Sequence, residues 1–366
     1  MLPLQGLRVV AIEQAVAAPF CTSRLADAGA EVIKIERPEG DFARGYDDVA
    51  AGQSSYFVWL NRGKTSRTLD LASEEGRAAL EELLATSDVL VQNLKRGALS
   101  RLGFPAERLR RDFPKLVICA ISGYGDGGPM ADRKAYDLLV QAESGLCSLT
   151  GGPSEPARVG ISIVDIATGA TAQAAILEAL VRRGITGQGA SISISMFDVM
   201  ADWLTVPLLN HEGGRTPGRI GLAHPSIAPY GVFTAQDGVQ ILISVQSDRE
   251  WRRLCDVFLG QPGLGGDPRF ATNVARVANR PATDAAVAAG FAGLPADAAM
   301  EALLQADVAL ARVNDMEGLA SHPHLRRVTV ETPNGPVSYP APAPVWDDAP
   351  RTYGPVPALN PAEGRN

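Results

Sequence analysis

Histidine and cysteine are scarce in this chain, with four of each among 366 residues. Cys21, Cys119, Cys147 and Cys255 follow no metal-ligand spacing, which argues against a zinc site or a disulfide framework and points to a reducing cytoplasm. His211, His224, His322 and His324 come too late in the chain to suggest a histidine-based metal centre, so no metal is expected. An excess of basic charge is also missing. The net charge is −7, which excludes the broad positive footprint of a nucleic-acid binder. No segment approaches the ~20 uninterrupted apolar residues of a membrane span. The first residues, Met1 to Gly6, lack the three regions of a signal peptide, so a cytoplasmic protein without membrane attachment is expected. No Gly-x-Gly-x-x-Gly or phosphate-binding loop follows the first strand, and no Gly-x-Ser-x-Gly elbow occurs. NAD, ATP and serine-hydrolase chemistry therefore have no motif to rest on.

What the chain does have is alternation. Leu7 to Ile12, Glu31 to Ile35, Val89 to Val91 and Leu116 to Ala120 read as strands. Phe20 to Ala28 and Ser73 to Leu84 read as helices, the second with Ser73 as N-cap. Such alternation implies βαβ units and a mainly parallel sheet. Ala190 to Met196 has period two, and Asn210 to Pro229 reads as a long Gly- and Arg-rich loop. Tyr230 to Thr234 and Val239 to Val245 flank Gln236-Asp237-Gly238 as a hairpin, with helices at about 248–258, 281–291 and 296–305. The expected fold class is therefore α/β: a Rossmann-like large domain over 1–209, a glycine-rich linker over 210–229, a smaller α+β domain over 225–322 and a C-terminal segment, 323–366, returning to the large domain.

Asp165 is the most informative residue. It follows the apolar run Gly160-Ile161-Ser162-Ile163-Val164 and precedes a helical stretch from Ala170 to Arg183. A carboxylate at a strand-to-helix junction is either a plain N-cap, kept charged by the helix dipole, or a nucleophile able to form acyl intermediates. Basic residues follow the early strands: Arg37, then Lys95, Arg96 and Arg101. Beyond the carboxyl ends of parallel strands such groups suit an anionic ligand or an ordinary solvated surface. Lys134-Ala135-Tyr136-Asp137 offers a phenol and an ammonium group in what reads as a surface turn. His224 is a weak candidate base.

Taken in order, several segments resemble the class III coenzyme A transferases, the family of formyl-CoA and carnitine CoA-transferases and α-methylacyl-CoA racemases. They include Ala17-Ala18-Pro19-Phe20-Cys21, Leu25 to Asp41, Asn61-Arg62-Gly63-Lys64 and Asp88 to Asn93. Gly97 to Gly103, Ile121 to Gly125, Tyr136-Asp137, the Asp165 segment and Ser195 to Asp198 continue the series. The resemblance implies that Asp165 is the nucleophile, passing through a mixed anhydride and an aspartyl-CoA thioester. It implies CoA contacts from Val16, Ala17, Arg37, Leu69, Asn93, Leu94, Arg101 and Lys134, with Tyr136 near the thioester. It also implies an interlocked-ring homodimer, a large domain built from both chain ends, and CoA or acyl-CoA as substrate with no tightly bound cofactor.

Two departures direct the reading. The racemases carry a histidine at the Tyr136 position, and a phenol with a reference pKa near ~10 is a poor base at neutral pH. A transferase is expected, with a racemase or epimerase, and a non-catalytic CoA-binding protein, as the alternatives. Formyl-CoA transferases have glutamine where this chain has Val16, and consecutive glycines where it has Glu212 to Arg219. Arg215 and Arg219 are accordingly expected to bind the free carboxylate of a dicarboxylic acyl group, on charge alone.

Overall fold

The computed structural model describes residues 1–347 and 350–359. The chain divides into two units. The first comprises Met1–Cys147, Arg158–Gly213 and the described residues from Arg326 onward; the second comprises Ser148–Ala157 and Gly214–Leu325. Asp348, Ala349 and 360–366, part of the expected C-terminal segment, lie outside the described residues.

The first unit holds strands β1 (Arg8–Ile12), β2 (Glu31–Glu36), β3 (Lys64–Thr68), β4 (Val89–Gln92), β5 (Val117–Ser122) and β6 (Ala190–Ser195). They form one sheet in the order β3-β2-β1-β4-β5-β6, with every neighbouring pair parallel. Its helices are α1 (Ala17–Asp27), α2 (Ser55–Asn61), α3 (Glu74–Ala85), α4 (Ala98–Arg101), α5 (Ala106–Asp112), α6 (Asp137–Glu143), α7 (Ile163–Thr186), α8 (Met196–Trp203) and α9 (Thr205–Glu212).

Strand side chains alternate between faces, and both faces here are covered, which is why the strands read as near-continuous apolar runs. Val9 and Ala11 pack with Leu25 of α1 and Ile176 of α7 on one side. Val10 and Ile12 pack with Leu80 and Leu84 of α3 on the other. Full burial of Leu25 or Ile176 contributes about 2 kcal/mol each. Ser73 caps α3, its hydroxyl accepting the Gly76 N–H at 2.9 Å. The chain end returns to this unit: Pro355 O accepts the Gly63 N–H at 2.9 Å and Val356 N–H donates to Glu331 O.

Several local expectations need correction. β3, Lys-Thr-Ser-Arg-Thr, gives no apolar signal because it is an edge strand. Asn93 therefore follows the fourth strand, not the third. α1 begins at Ala17, three residues before the apolar period suggests. The long loop starts only after α9 ends at Glu212. No strand runs directly into Asp165; α7 begins at Ile163, seven residues before the expected helical stretch. With 24 residues and mean hydropathy 1.3, α7 is long and apolar enough to cross a membrane by length and composition. Its apolar face packs against α1 and the sheet.

The second unit contains β7 (Tyr230–Thr234), β8 (Gln240–Ser244) and β9 (Ala309–Arg312), an antiparallel sheet in that order. Gly238, at φ +82°, allows the tight turn between β7 and β8. Ile241 and Ile243 meet Trp251, Val287, Phe291 and Leu303 in a separate core. Residues 148–157, which the sequence pattern assigns to the large domain, belong here. Gly151 O accepts the Gly221 N–H at 3.1 Å, and Arg219 Nε donates to Gly152 O at 3.1 Å.

Candidate active site

The strand order reverses at β1, which has β2 on one side and β4 on the other. In an open parallel sheet this is where a crevice forms beyond the strand ends. The turn leaving β1 is held there by side chains from two other strand ends. Asn93, after β4, accepts the Gln14 N–H at 3.0 Å and donates its amide to Gln14 O at 2.8 Å. Asp41, after β2, accepts the Ala15 N–H at 3.1 Å. Ala15 adopts φ +63°, a left-handed conformation that costs a non-glycine residue about 1 kcal/mol or more. These bonds hold it in place.

Beneath the turn lies a buried ion network invisible to sequence patterning. Lys34, wholly buried in the centre of β2, lies 2.8 Å from Asp41 and 3.5 Å from Glu13. Glu13 meets Lys64 at 2.6 Å and accepts the Thr22 hydroxyl at 2.6 Å. Burial opposes ionisation of Glu13, Lys34 and Lys64, yet the pairing wins at two of them: Lys64 and Lys34 hold the Glu13 carboxyl low, and Glu13 and Asp41 hold the Lys34 ammonium high.

Asp165 lies in the first turn of α7 and does not cap it. Asp137 does so from the first turn of α6, its Oδ1 accepting the N–H groups of Val164 at 2.7 Å and Asp165 at 3.2 Å. The expectation that the helix dipole keeps Asp165 ionised is overturned. Burial first, and the Asp137 charge second, push its carboxyl up to about 7. Among the described residues its side chain accepts no hydrogen bond from the protein. Gly169, one turn later, lets α7 approach α1 closely: a Cβ there would lie 2.4 Å from Ala17 O. The α1–α7 packing thus sets Ala17 relative to Asp165.

Asp165 opens into a cavity of 660 Å³ that Val16, Ala17, Asn93, Leu94, Lys134 and Tyr136 also line. Tyr136 is 58% exposed and immediately precedes Asp137, so one turn presents the phenol and caps the helix of Asp165. A smaller cavity of 280 Å³ is lined by Arg37, Leu69 and Leu94. Gln14 and Leu94 line both cavities, which makes them neighbouring parts of one groove. Arg101 lines neither; it stands on α4 beside Ala98 and Leu102, which line the smaller one, and its guanidinium donates to Arg96 O at 3.4 Å.

Arg215, Arg219 and His224 belong to the second unit and are not among the residues lining this cavity. The Arg219 guanidinium is engaged by the backbone carbonyls of Gly152, Ser148 and Pro153. His224 stacks on Tyr230 at 5.2 Å and accepts the Ser226 N–H at Nδ1, a structural role in its loop.

Four further residues belong to the site. Tyr46 and Tyr56 meet edge to face at 5.6 Å, and the Tyr56 hydroxyl lies 3.3 Å from Ser162 Oγ. Burial, then the nearby Asp41, Asp165 and Tyr136 charges, push the Tyr46 phenol up to about 12, which keeps it a hydrogen-bond donor. Arg158 lines the cavity, and Asp137 supplies the cap. No spacing marks the tyrosines. Asp137 had one available signal, an acidic residue beside Tyr136 at the start of an apolar helix.

The family profile described as "CoA-transferase family III" matches residues 4–363. The chain belongs to CoA-transferase family III. It is 41% identical over 288 residues to "Succinate--glutarate CoA-transferase" of Agrobacterium fabrum, covering 76% of this chain and 72% of the relative. It is 39% identical to "Acetyl-CoA:oxalate CoA-transferase" of Acetobacter aceti, covering 88% and 83%. A solved CAIB/BAIF family protein from Brucella suis matches 98% of this chain and 97% of its own, at TM-score 0.83 and 36% identity. The family III membership makes this chain a CoA-transferase, whose substrates are CoA thioesters and carboxylic acids.

Proposed function

We propose that Asp165 carries the transfer as a covalent nucleophile and that the acids exchanged are small dicarboxylates. The observation supporting the first part is a cavity-facing carboxyl, free of protein hydrogen bonds among the described residues, beside the exposed phenol of Tyr136 and the first-turn backbone of α1. The Asp165 carboxylate attacks the thioester carbonyl, forming an acyl-aspartyl anhydride and releasing CoA thiolate. The thiolate attacks the aspartyl carbonyl, giving an aspartyl-CoA thioester and freeing the donor acid. The acceptor carboxylate attacks that thioester, forming a second anhydride and again releasing thiolate. Thiolate attack on the acceptor acyl carbonyl yields the new CoA ester and restores Asp165. First-turn N–H groups of a helix have no intrahelical acceptor, so those at Val16 and Ala17 are available to a developing oxyanion. Tyr136 donates to the thioester oxygen. CoA extends along the groove past Asn93, Leu94 and Lys134 toward Arg37, Leu69 and Arg101, binding as substrate and not as a resident cofactor.

Dicarboxylates are favoured by the relatives, which are named for succinate, glutarate, oxalate, mesaconate and D-citramalate. We also propose a homodimer. Trp203, Val206, Leu208 and Leu209 expose large apolar surface on the consecutive helices α8 and α9, as an unpaired subunit face would. Sedimentation equilibrium gives twice the 38.5 kDa chain mass on this reading and the chain mass if it is wrong.

The decisive experiment is trapping. Protein incubated with an acyl-CoA and quenched with borohydride or hydroxylamine should show, by peptide mass, a modification at Asp165 that requires the thioester. An unmodified Asp165 in an enzyme that turns over would remove the covalent reading.

A further inference from the structure

The cavity around Asp165 is lined by cations from three chain segments. Lys95 and Arg96 follow β4 beside Leu94, which also lines the smaller cavity, and Arg133 and Lys134 come from the segment leading to α6. Arg158 enters from the opposite direction along the chain, from the segment that leads into α7 and Asp165 itself. Arg96 is paired with Asp132 at 3.2 Å. The side chains of Lys95, Arg133, Lys134 and Arg158 make no hydrogen bond or ion pair among the described residues; of these, Arg158 is the one joined through its neighbour Val159 to the brace that also holds the Asp165 turn.

The backbone beside Arg158 is held firmly. Gln141, wholly buried, accepts the Val159 N–H at 2.9 Å and donates its amide to Asp137 Oδ2 at 2.6 Å. Asp137 uses its other oxygen on the N–H groups of Val164 and Asp165. One brace, Gln141–Asp137, therefore references the residue after Arg158 and the first turn carrying Asp165 to the same two side chains. Arg158 and Asp165 line the same cavity, and this brace ties the backbone beside each of them to one pair of side chains.

We infer that Arg158 is the specificity residue of this site, binding the carboxylate of a dicarboxylic acyl group that is not being activated. The inference rests on the dicarboxylate reading above and assigns that role to a residue of the first unit that lines the Asp165 cavity. A guanidinium fork suits a carboxylate bidentately, and the exposed Arg158 side chain at the cavity wall has its donors free for an anionic ligand. A monocarboxylic acyl group would leave it without that partner.

The test is transfer from succinyl-CoA to glutarate by wild type, Arg158→Gln and Arg158→Lys, with valerate as the length-matched monoacid and with CoA affinity measured separately by calorimetry. The expected result is a 10- to 100-fold loss of kcat/KM for glutarate in Arg158→Gln, partial recovery in Arg158→Lys, and a CoA Kd within twofold of wild type. The unchanged CoA Kd also establishes that the variant is folded. A glutarate kcat/KM within threefold of wild type overturns the assignment, as does a CoA Kd that weakens in step with it, which would place Arg158 on the nucleotide. Wild-type transfer to valerate as efficient as to glutarate overturns the dicarboxylate reading instead, and the role of Arg158 with it.

Discussion

Asp137 Oδ1 accepts the backbone N–H of Asp165 at 3.2 Å, so a carboxylate at the start of α6 caps the first turn of α7, which carries the candidate nucleophile. The Asp137 charge disfavours ionisation of the Asp165 carboxyl. With burial as the larger cause, the result is an Asp165 carboxyl raised to about 7. Only the carboxylate form attacks a thioester, so kcat/KM should fall as pH drops below 7, following one ionisation.

Asp137→Asn tests this coupling. Asparagine keeps an oxygen to accept the two N–H groups but removes the charge. The acidic limb of the pH–kcat/KM profile should move to lower pH by roughly half to one unit, with a stability cost of about 1 kcal/mol because the Asn amide nitrogen cannot accept from Gln141 as Asp137 Oδ2 does at 2.6 Å. A limb that stays in place would mean that Asp137 acts only as a cap.

Asp165→Asn should abolish turnover and stabilise the protein above neutral pH. The sign follows from linkage. The folded carboxyl titrates at about 7 against a reference of 3.8, so between these values the folded state binds more protons than the unfolded state. Stability contributed by the protonated group is complete below the reference value and is lost as pH rises through about 7. The variant lacks this loss. Its Tm should exceed wild type by several degrees at pH 8, with the difference shrinking toward pH 4. Equal Tm differences at both pH values would contradict the raised carboxyl.

Lys34→Met should destabilise by about 3–5 kcal/mol, because it leaves Asp41 and Glu13 buried with fewer counter-charges. Asp41 also holds Ala15 in its left-handed conformation, so the remaining folded enzyme should show a raised KM for the CoA ester. Urea unfolding and steady-state kinetics measure the two effects. A loss of stability without any change in KM would confine the network to a structural role.

Two glycines of α7 should respond oppositely to the same substitution. Gly169→Ala places a Cβ 2.4 Å from Ala17 O and 3.0 Å from Phe20, so α1 and α7 must separate. A cost of about 1–3 kcal/mol and a loss of activity are expected. Gly184→Ala meets nothing within 4 Å and should stabilise by about 0.5–1 kcal/mol. Similar outcomes at the two positions, by urea midpoint, would show that the helix contact does not set the site.

The residues that form the parallel sheet were readable because buried strands are apolar and their ends carry turn residues. β3 was not, since an edge strand of Lys, Thr, Ser and Arg has no hydrophobic period. Asp165 and Tyr136 stood out as chemistry-bearing types within a resemblance, and the fold brings both to one cavity. Lys34 falls within the strand expected over Glu31 to Ile35, but nothing in that pattern marks it as buried; in the fold it is fully buried because Asp41 and Glu13 neutralise it there.

The sequence by itself determined the βαβ framework, the turn types, the family and the identity of the candidate nucleophile, because these depend on side-chain period and on ordered motifs along the chain. Only the tertiary structure decided that Asp137 caps the helix of Asp165, that this carboxyl is raised rather than held ionised, and that Arg158 shares its cavity while Arg219 is occupied elsewhere. The physical reason is that charge, burial and hydrogen bonding act between atoms close in space. Asp137 and Gln141 on α6, Arg158 in the segment before α7, and Asp165 on α7 are brought together by contacts that no local pattern links.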